Sequence, residues 1–306
     1  MKNLKLFALL LLIIAACSMI YFQHTKYEGE TVMVSYENKS PLGVWWWNNK
    51  GFETHQLMEF AVSQGVTEIY WSAGLTRPRW CEKTTTEFLK LAHTKGIDVY
   101  YLTGDWAWIY NPDHAINRLE AFLEWQKSSC YATRFAGVHL NIEPHQSPNW
   151  NIQDKDATRE ILQSYINLKV LLTSQFGSMD WTSSFWWHSE KMFTVEYRGE
   201  MMYLYRAAIL EANRIFVMSY RNTAQAMYSI GQHHVEFAQK MNRPILLSAL
   251  VYPGSENPEY THVFFSNLGH EYMINELAQL QKLVEHPKLG IAVHEIVGWY
   301  NMYNSN

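Results

Sequence analysis

What most constrains this chain is an alternation that runs from residue 42 to residue 297. Short runs rich in aromatic and β-branched residues recur at Leu42–Trp47, Thr67–Ser72, Asp98–Thr103, Gly137–Glu143, Asp180–Phe185, Arg214–Tyr220, Ile245–Tyr252 and Gly290–Val297. Helical patterns fall between them at His55–Gln64, Thr85–Lys95, His114–Lys127, Ala157–Gln175, Met201–Ala212, Ala224–Met241 and Glu271–Val284. Two junctions, Ser63–Trp71 and Thr94–Leu102, are near copies that read helix, glycine stop, strand. Gly65 and Gly96 suit the left-handed position that closes a helix, and Thr84 with Glu87 offers a capping box for the second helix. Eight such units, in a chain not far above the roughly 250 residues typical of the architecture, predict an α/β fold, a single (β/α)8 barrel of the TIM type. An open dinucleotide-binding sheet is disfavoured because no glycine fingerprint follows the first strand. No eighth helical pattern is read after Trp299, so the outer ring is expected to be incomplete or closed by the lead-in.

The residues before the barrel form a leader. Lys2 and Lys5 precede an apolar run from Leu6 to Phe22 that contains Ile14-Ala15-Ala16-Cys17. This resembles a bacterial lipoprotein signal, which implies cleavage before Cys17, lipidation of its thiol and retention on a membrane. The alternative is an uncleaved anchor, since Met19 to Phe22 prolong the run towards the roughly 17 to 25 residues that span a bilayer. The expected organisation is a leader over 1–17, a polar tether over 18–40 and a barrel over 41–306, exported to the periplasm or cell surface and tethered there. In that compartment Cys81 and Cys130 could pair, but they are placed at opposite ends of the barrel, so both are expected to be thiols. The formal charge of −4, with no basic run, argues against a nucleic-acid partner.

Active sites of such barrels lie at the C-terminal ends of the strands. The fourth strand carries the chemistry there. Period-two alternation turns Val138, Leu140 and Ile142 to the helices and His139, Asn141 and Glu143 into the barrel, with Glu143 at the rim before Pro144. Barrel interiors are usually filled by branched apolar residues, so three inward polar groups in a row require a buried network or a site.

Here the sequence resembles known families. Ala136–Glu143 is similar to the D-G-x-D-x-D-x-E strand of family 18 chitinases, with Gly137 on the glycine and Glu143 on the catalytic acid, while Ala136, His139 and Asn141 stand at the Asp positions. Asn141-Ile142-Glu143 is closer to the Asn-x-Glu of family 85 endo-β-N-acetylglucosaminidases. Leu102–Trp106 resembles the S-x-G-G-W end of the third chitinase strand, with Asp105 for the second glycine. Met218-Ser219-Tyr220 matches the M-x-Y of the sixth, although Arg221 replaces the usual Asp or Asn. Tyr252 keeps the tyrosine of the seventh, and His294 stands where a floor tryptophan is usual. The resemblance implies a glycosidase of the family 18, 20 and 85 clan that needs no cofactor. In it Glu143 would be the general acid, Asn141 would orient the substrate's acetamido group and Tyr220 would hydrogen-bond its oxygen. His139 would steady Asn141, and the substrate would be a glycan containing β-linked N-acetylhexosamine.

Thirteen tryptophans give an independent pointer to sugar. An indole offers a flat apolar face for a sugar's C–H groups and one N–H for a hydroxyl. Trp45, Trp46, Trp47, Trp71, Trp106, Trp108, Trp181, Trp186, Trp187 and Trp299 lie in or just beyond the strand runs, and Trp80 and Trp150 in loops at the same end. Trp45, Trp71, Trp106, Trp108 and Trp299 join Asp105, Met218, Tyr252 and His294 as candidate substrate contacts. Two other readings stay open: a glycosidase pairing Glu143 with Asp105, Glu190 or Glu295, and a chitinase-like lectin that binds without cleaving. No metal is expected, since the 13 His show no His-x-His at the first strand and no His-Glu-x-x-His, and His233-His234 reads as helix surface.

Overall fold

The structure, a computed structural model, describes residues 40–48, 51–73, 82–188, 193–251, 260–284 and 286–305. The leader, the tether up to residue 39, Trp80, Cys81, Glu190 and Tyr252 lie outside the described residues. The chain enters as β1 (Leu42–Trp46) and α1 (Thr54–Ser63), followed by β2 (Glu68–Trp71), α2 (Lys83–Thr94), β3 (Asp98–Thr103) and α3 (Pro112–Ser128). Gly65 (φ 73°) and Gly96 (φ 70°) take the left-handed conformation that closes α1 and α2. The capping box does not form, because α2 starts two residues early, at Lys83, with Glu82 as its N-cap and no side-chain cap bond. Then come β4 (Gly137–Leu140), α4 (Lys155–Phe176) and β5 (Asp180–Ser184).

After β5 the chain departs from the sequence reading. A two-stranded antiparallel hairpin, β6 (Thr194–Tyr197) and β7 (Glu200–Tyr203), is inserted before α5 (Leu204–Glu211), where a helix from Met201 had been expected. Its turn is Arg198-Gly199, both at positive φ (53° and 85°), the backbone a two-residue hairpin requires. The remaining units are β8 (Ile215–Met218), α6 (Ala224–Lys240), β9 (Ile245–Leu250), α7 (His270–Leu283), β10 (Leu289–His294) and α8 (Ile296–Asn304). Eight parallel strands close in the order β1-β10-β9-β8-β5-β4-β3-β2, which is the expected barrel.

The ring also has its eighth helix. The last strand stops at His294, and the Glu295 side chain accepts from the Gly298 N–H at 3.0 Å, starting α8. Trp299 therefore sits in a helix, with its ring 5.5 Å from Phe60 of α1 and its Nε1 donating to His270 Nδ1 at 3.1 Å. It fills the seam between the last and first helices and does not face the mouth. His234, expected at the surface, is fully buried and lies 3.2 Å from Ser183 Oγ. Cys130 is exposed and free. Among the described residues no helix is long and apolar enough to cross a membrane.

Inside the barrel Trp45, Tyr70, Tyr100, Leu102, Phe216, Leu246 and Ala292 form a small core of their own, while the larger core lies between strands and helices. Below the inner core is a buried charge plug. Arg214 precedes β8, and Glu68 and Asp180 begin β2 and β5, so all three lie at the N-terminal end of the barrel. The guanidinium donates to both Glu68 oxygens (2.9 and 2.7 Å) and from Nε to Asp180 at 3.0 Å, and Tyr70 adds a hydroxyl to Glu68. One cation against two carboxylates is unbalanced. Burial, with Asp180 adding to it, pushes the Glu68 carboxyl up despite the opposing pull of Arg214 and Tyr70.

Candidate active site

β4 ends at Leu140 rather than at Glu143 as expected, but the alternation of faces continues past it. Leu140 and Ile142 are buried in the outer core, while His139 is fully buried inside the barrel among Tyr70, Phe216 and Trp45, at ring-centroid distances of 4.9, 4.4 and 5.6 Å. His139 Nε2 lies 3.0 Å from Thr182 Oγ1. Burial first, then the charges of Arg214 and Lys169, push its imidazole well below the usual range, so it is neutral. Its partner is Thr182, so the expected support of Asn141 by His139 is not seen.

Above it, Asn141 and Glu143 meet. Asn141 Nδ2 donates to Glu143 Oε1 at 3.1 Å, and its buried Oδ1 has no hydrogen-bond partner among the described residues. Gly104 sets the height of this segment. At φ +143°, a Cβ there would lie 2.3 Å from the Asn141 carbonyl oxygen, so the loop after β3 can approach β4 only with glycine at this position. Pro144 then opens a 3-10 turn (Pro144–Gln146) that swings His145 back over the acid.

His145 Nε2 stands 3.2 Å from Glu143 Oε2, with the Glu143 side chain 16% exposed and so open to a ligand. The His145 ring lies edge-on to Trp186 (5.5 Å) and Trp150 (6.4 Å), making an aromatic wall beside the acid. Burial pushes the Glu143 carboxyl up, but the His145 hydrogen bond and charge, with Asn141 and Gln146, outweigh it and hold the group below its ordinary value. A carboxyl raised by its pocket is what a resting general acid calls for, and His145 reverses that direction. Nothing in the sequence marked His145 beyond its place two residues after Glu143.

Tyr220, just past β8, lies 2.9 Å from His294 Nδ1, and Trp47 Nε1 donates to His294 Nε2 at 2.8 Å. Burial and the Glu143 charge push the Tyr220 phenol up, so it keeps its proton. Met218 ends β8, half-buried, and Trp45 packs beneath His294 at 5.5 Å as the floor.

Other candidates lie elsewhere. On β2 the inward residues are Glu68 and Tyr70, so Trp71 points outward and stacks on Phe88 of α2 at 4.0 Å. Trp108 is 6% exposed and belongs to the outer core, whereas Trp106 stays half-buried in the 3-10 turn (Trp106–Ile109) after β3. Asp105 is exposed and caps that turn through the Ala107 N–H at 2.8 Å. Glu295 caps α8, and Glu190, the third carboxylate considered beside Glu143, lies outside the described residues. Among the described residues, no group of three or more His, Cys, Asp or Glu is placed to hold a metal ion.

No protein-family model matches the chain, and no curated protein matches it. Solved structures do share its fold. The spore cortex-lytic enzyme SleL of Bacillus megaterium superposes with a TM-score of 0.50 at 12% identity, covering 88% of this chain and 74% of its own. A chitinase of Rhizomucor miehei, RmChi1, gives 0.51 at 10% identity over 86% of this chain and 99% of its own. The exo-β-1,4-mannosidase Op5Man5 of an Opitutaceae bacterium gives 0.51 at 10% identity over 83% and 51%. Likeness at these identities shows the barrel, and the resemblance to chitinases drawn from the fourth strand is met again at the level of the fold.

Proposed function

We propose that this chain is a retaining glycosidase that hydrolyses β-linked N-acetylhexosamine glycans with the help of the substrate's own acetamido group. The observation that carries the reading is the Asn141–Glu143 pair, in which Asn141 holds the acid with its amide N–H and keeps a buried, unpartnered Oδ1 at the same rim. A buried acceptor without a partner is costly, and the N–H of an acetamido group would satisfy it. That contact would turn the acetamido carbonyl oxygen onto the anomeric carbon. Its C–O bond forms as the glycosidic C–O bond breaks, and Glu143, in the protonated fraction that remains while His145 lowers its carboxyl, gives its proton to the departing oxygen. Water then attacks the anomeric carbon, Glu143 takes the water's proton, and the ring formed by the acetamido group reopens. No protein nucleophile is needed in this route. The fold neighbours named for chitin and spore cortex add weight to the substrate class.

The test compares chito-oligosaccharides with their de-N-acetylated forms. Cleavage of the acetylated chains alone, with the β-anomer formed first by NMR, is expected. Equal cleavage of both, or inversion, would contradict the mechanism.

Two further results are expected at this site. In His145→Ala the hydrogen bond and charge that lower Glu143 are gone while burial remains, so the carboxyl titration, followed by 13C NMR, should move to higher pH. An unmoved titration would mean that His145 does not set the protonation of the acid. Gly104→Ala should lower kcat by roughly 10- to 10²-fold through displacement of Asn141; unchanged kinetics would show that the segment has slack.

We further propose that Cys17 carries lipid and holds the barrel at a membrane outside the cytoplasm, as the leader sequence indicates. Cys17→Ser should shift the protein from the membrane to the soluble fraction after export; unchanged fractionation would favour the uncleaved anchor.

A further inference from the structure

Trp47, His294 and Tyr220 form a line of hydrogen bonds at the barrel mouth whose direction can be assigned by elimination. Trp47 Nε1 is 2.8 Å from His294 Nε2, and His294 Nδ1 is 2.9 Å from Tyr220 Oη. An indole N–H can only donate, so His294 Nε2 must accept. A ring that accepts at Nε2 carries its proton on Nδ1, because an imidazolium would set one N–H against another. Nδ1–H then donates to Tyr220 Oη, and the phenol's own proton must turn away from His294. Trp45, with its ring 5.5 Å from that of His294, packs against the imidazole from below.

We propose that Trp47 and His294 are positioning residues which, by fixing the Nδ1–H tautomer, aim the Tyr220 hydroxyl proton into the cleft as a donor to the carbonyl oxygen of the substrate's acetamido group. The identity of that acceptor rests on the glycosidase reading above; the direction of the proton does not. The opposite tautomer would make Tyr220 donate to His294 and turn its lone pairs towards the acetamido oxygen, which repels it. The arrangement also discriminates between sugars. A hydroxyl that offers its proton is matched to an N-acetyl carbonyl, whereas the ammonium of a de-N-acetylated sugar supplies only donors.

The test is 15N NMR of the full chain labelled at histidine, with His294 assigned by the signals lost in His294→Gln. The expected pattern is a protonated Nδ1 and an unprotonated Nε2. A protonated Nε2, alone or together with Nδ1, overturns the proposal. Trp47→Phe removes the donor and keeps an aromatic ring, so the His294 tautomer should become mixed. Removing one preorganised donor costs about 10² to 10³ in kcat, and misdirecting one should cost at least about tenfold, with KM changed less than about twofold. An unchanged tautomer, or a loss confined to KM, would contradict a positioning role. The NMR experiment needs no substrate. If the wild-type protein cleaves no N-acetylated glycan, the glycosidase reading fails while the tautomer still decides the direction of the proton.

Discussion

Glu143→Gln is expected to lower kcat on an N-acetylated glycan by about 10² to 10⁴-fold, the range that a positioned general acid contributes. The substitution keeps the side chain's shape and an Oε1 acceptor for the Asn141 amide and loses only the carboxylate's contact with His145, so Tm should change little and a glycan should still bind. The loss should appear in kcat and in kcat/KM alike, because the missing proton transfer belongs to the transition state. Full activity in Glu143→Gln would remove Glu143 from the mechanism, and with it the role given to Asn141.

Arg214→Met carries the largest expected effect on stability. Removing one partner of a buried ion pair typically costs about 3 to 5 kcal/mol, which for a domain of this size lowers Tm on the order of 10 °C. Arg214 is 1% exposed and answers two carboxylates, so the variant leaves Glu68 and Asp180 without the guanidinium that joins them. The Glu68 carboxyl, already pushed up by burial, would lose the opposing pull of Arg214 and rise further above its unfolded value, so the folded protein would bind more protons than the unfolded chain. Stability should therefore be poorest at neutral pH and partly recovered on acidification. Denaturant unfolding of both proteins at neutral and mildly acidic pH checks the magnitude and the sign. A change under 1 kcal/mol, or a deficit that deepens in acid, would mean that the plug does not hold the lower barrel.

Much of this architecture could be read from the chain, for reasons that differ by element. The glycine stops at Gly65 and Gly96 ahead of β2 and β3, and the β-rich runs around the ring, are local signals that locate all eight barrel strands, with ends off by up to three residues. Strand β4 was legible to the side chain because its polar residues alternate with apolar ones, which fixes the faces without coordinates. Strand β2 has the same alternation, but Trp71 is amphipathic, and its outward stack on Phe88 follows from the parity of Glu68 and Tyr70. Trp299 was misplaced because the last strand was carried through Val297, past the Glu295 cap that starts α8. The β6–β7 hairpin had a signal in Arg198-Gly199, which was masked by the helical periodicity beginning at Met201.

What could not be read is what barrel closure brings together. Arg214 and Glu68 are 146 positions apart, and the Trp47–His294 pair spans 247. Each residue looks ordinary alone, and only the ring that joins β1 to β10 makes the second pair neighbours. His145 is a near miss of another kind. It is two residues away in sequence, but its effect on Glu143 depends on the turn made by Pro144–Gln146.

The most direct test of the central claim is mass spectrometry of the products after the protein, and separately its Glu143→Gln form, is incubated with chito-oligosaccharides, N-glycans and peptidoglycan fragments. Cleavage at a β-linked N-acetylhexosamine by the native protein, and none by the variant, is expected. Binding of a glycan by both forms with cleavage by neither would contradict the claim and make the barrel a lectin.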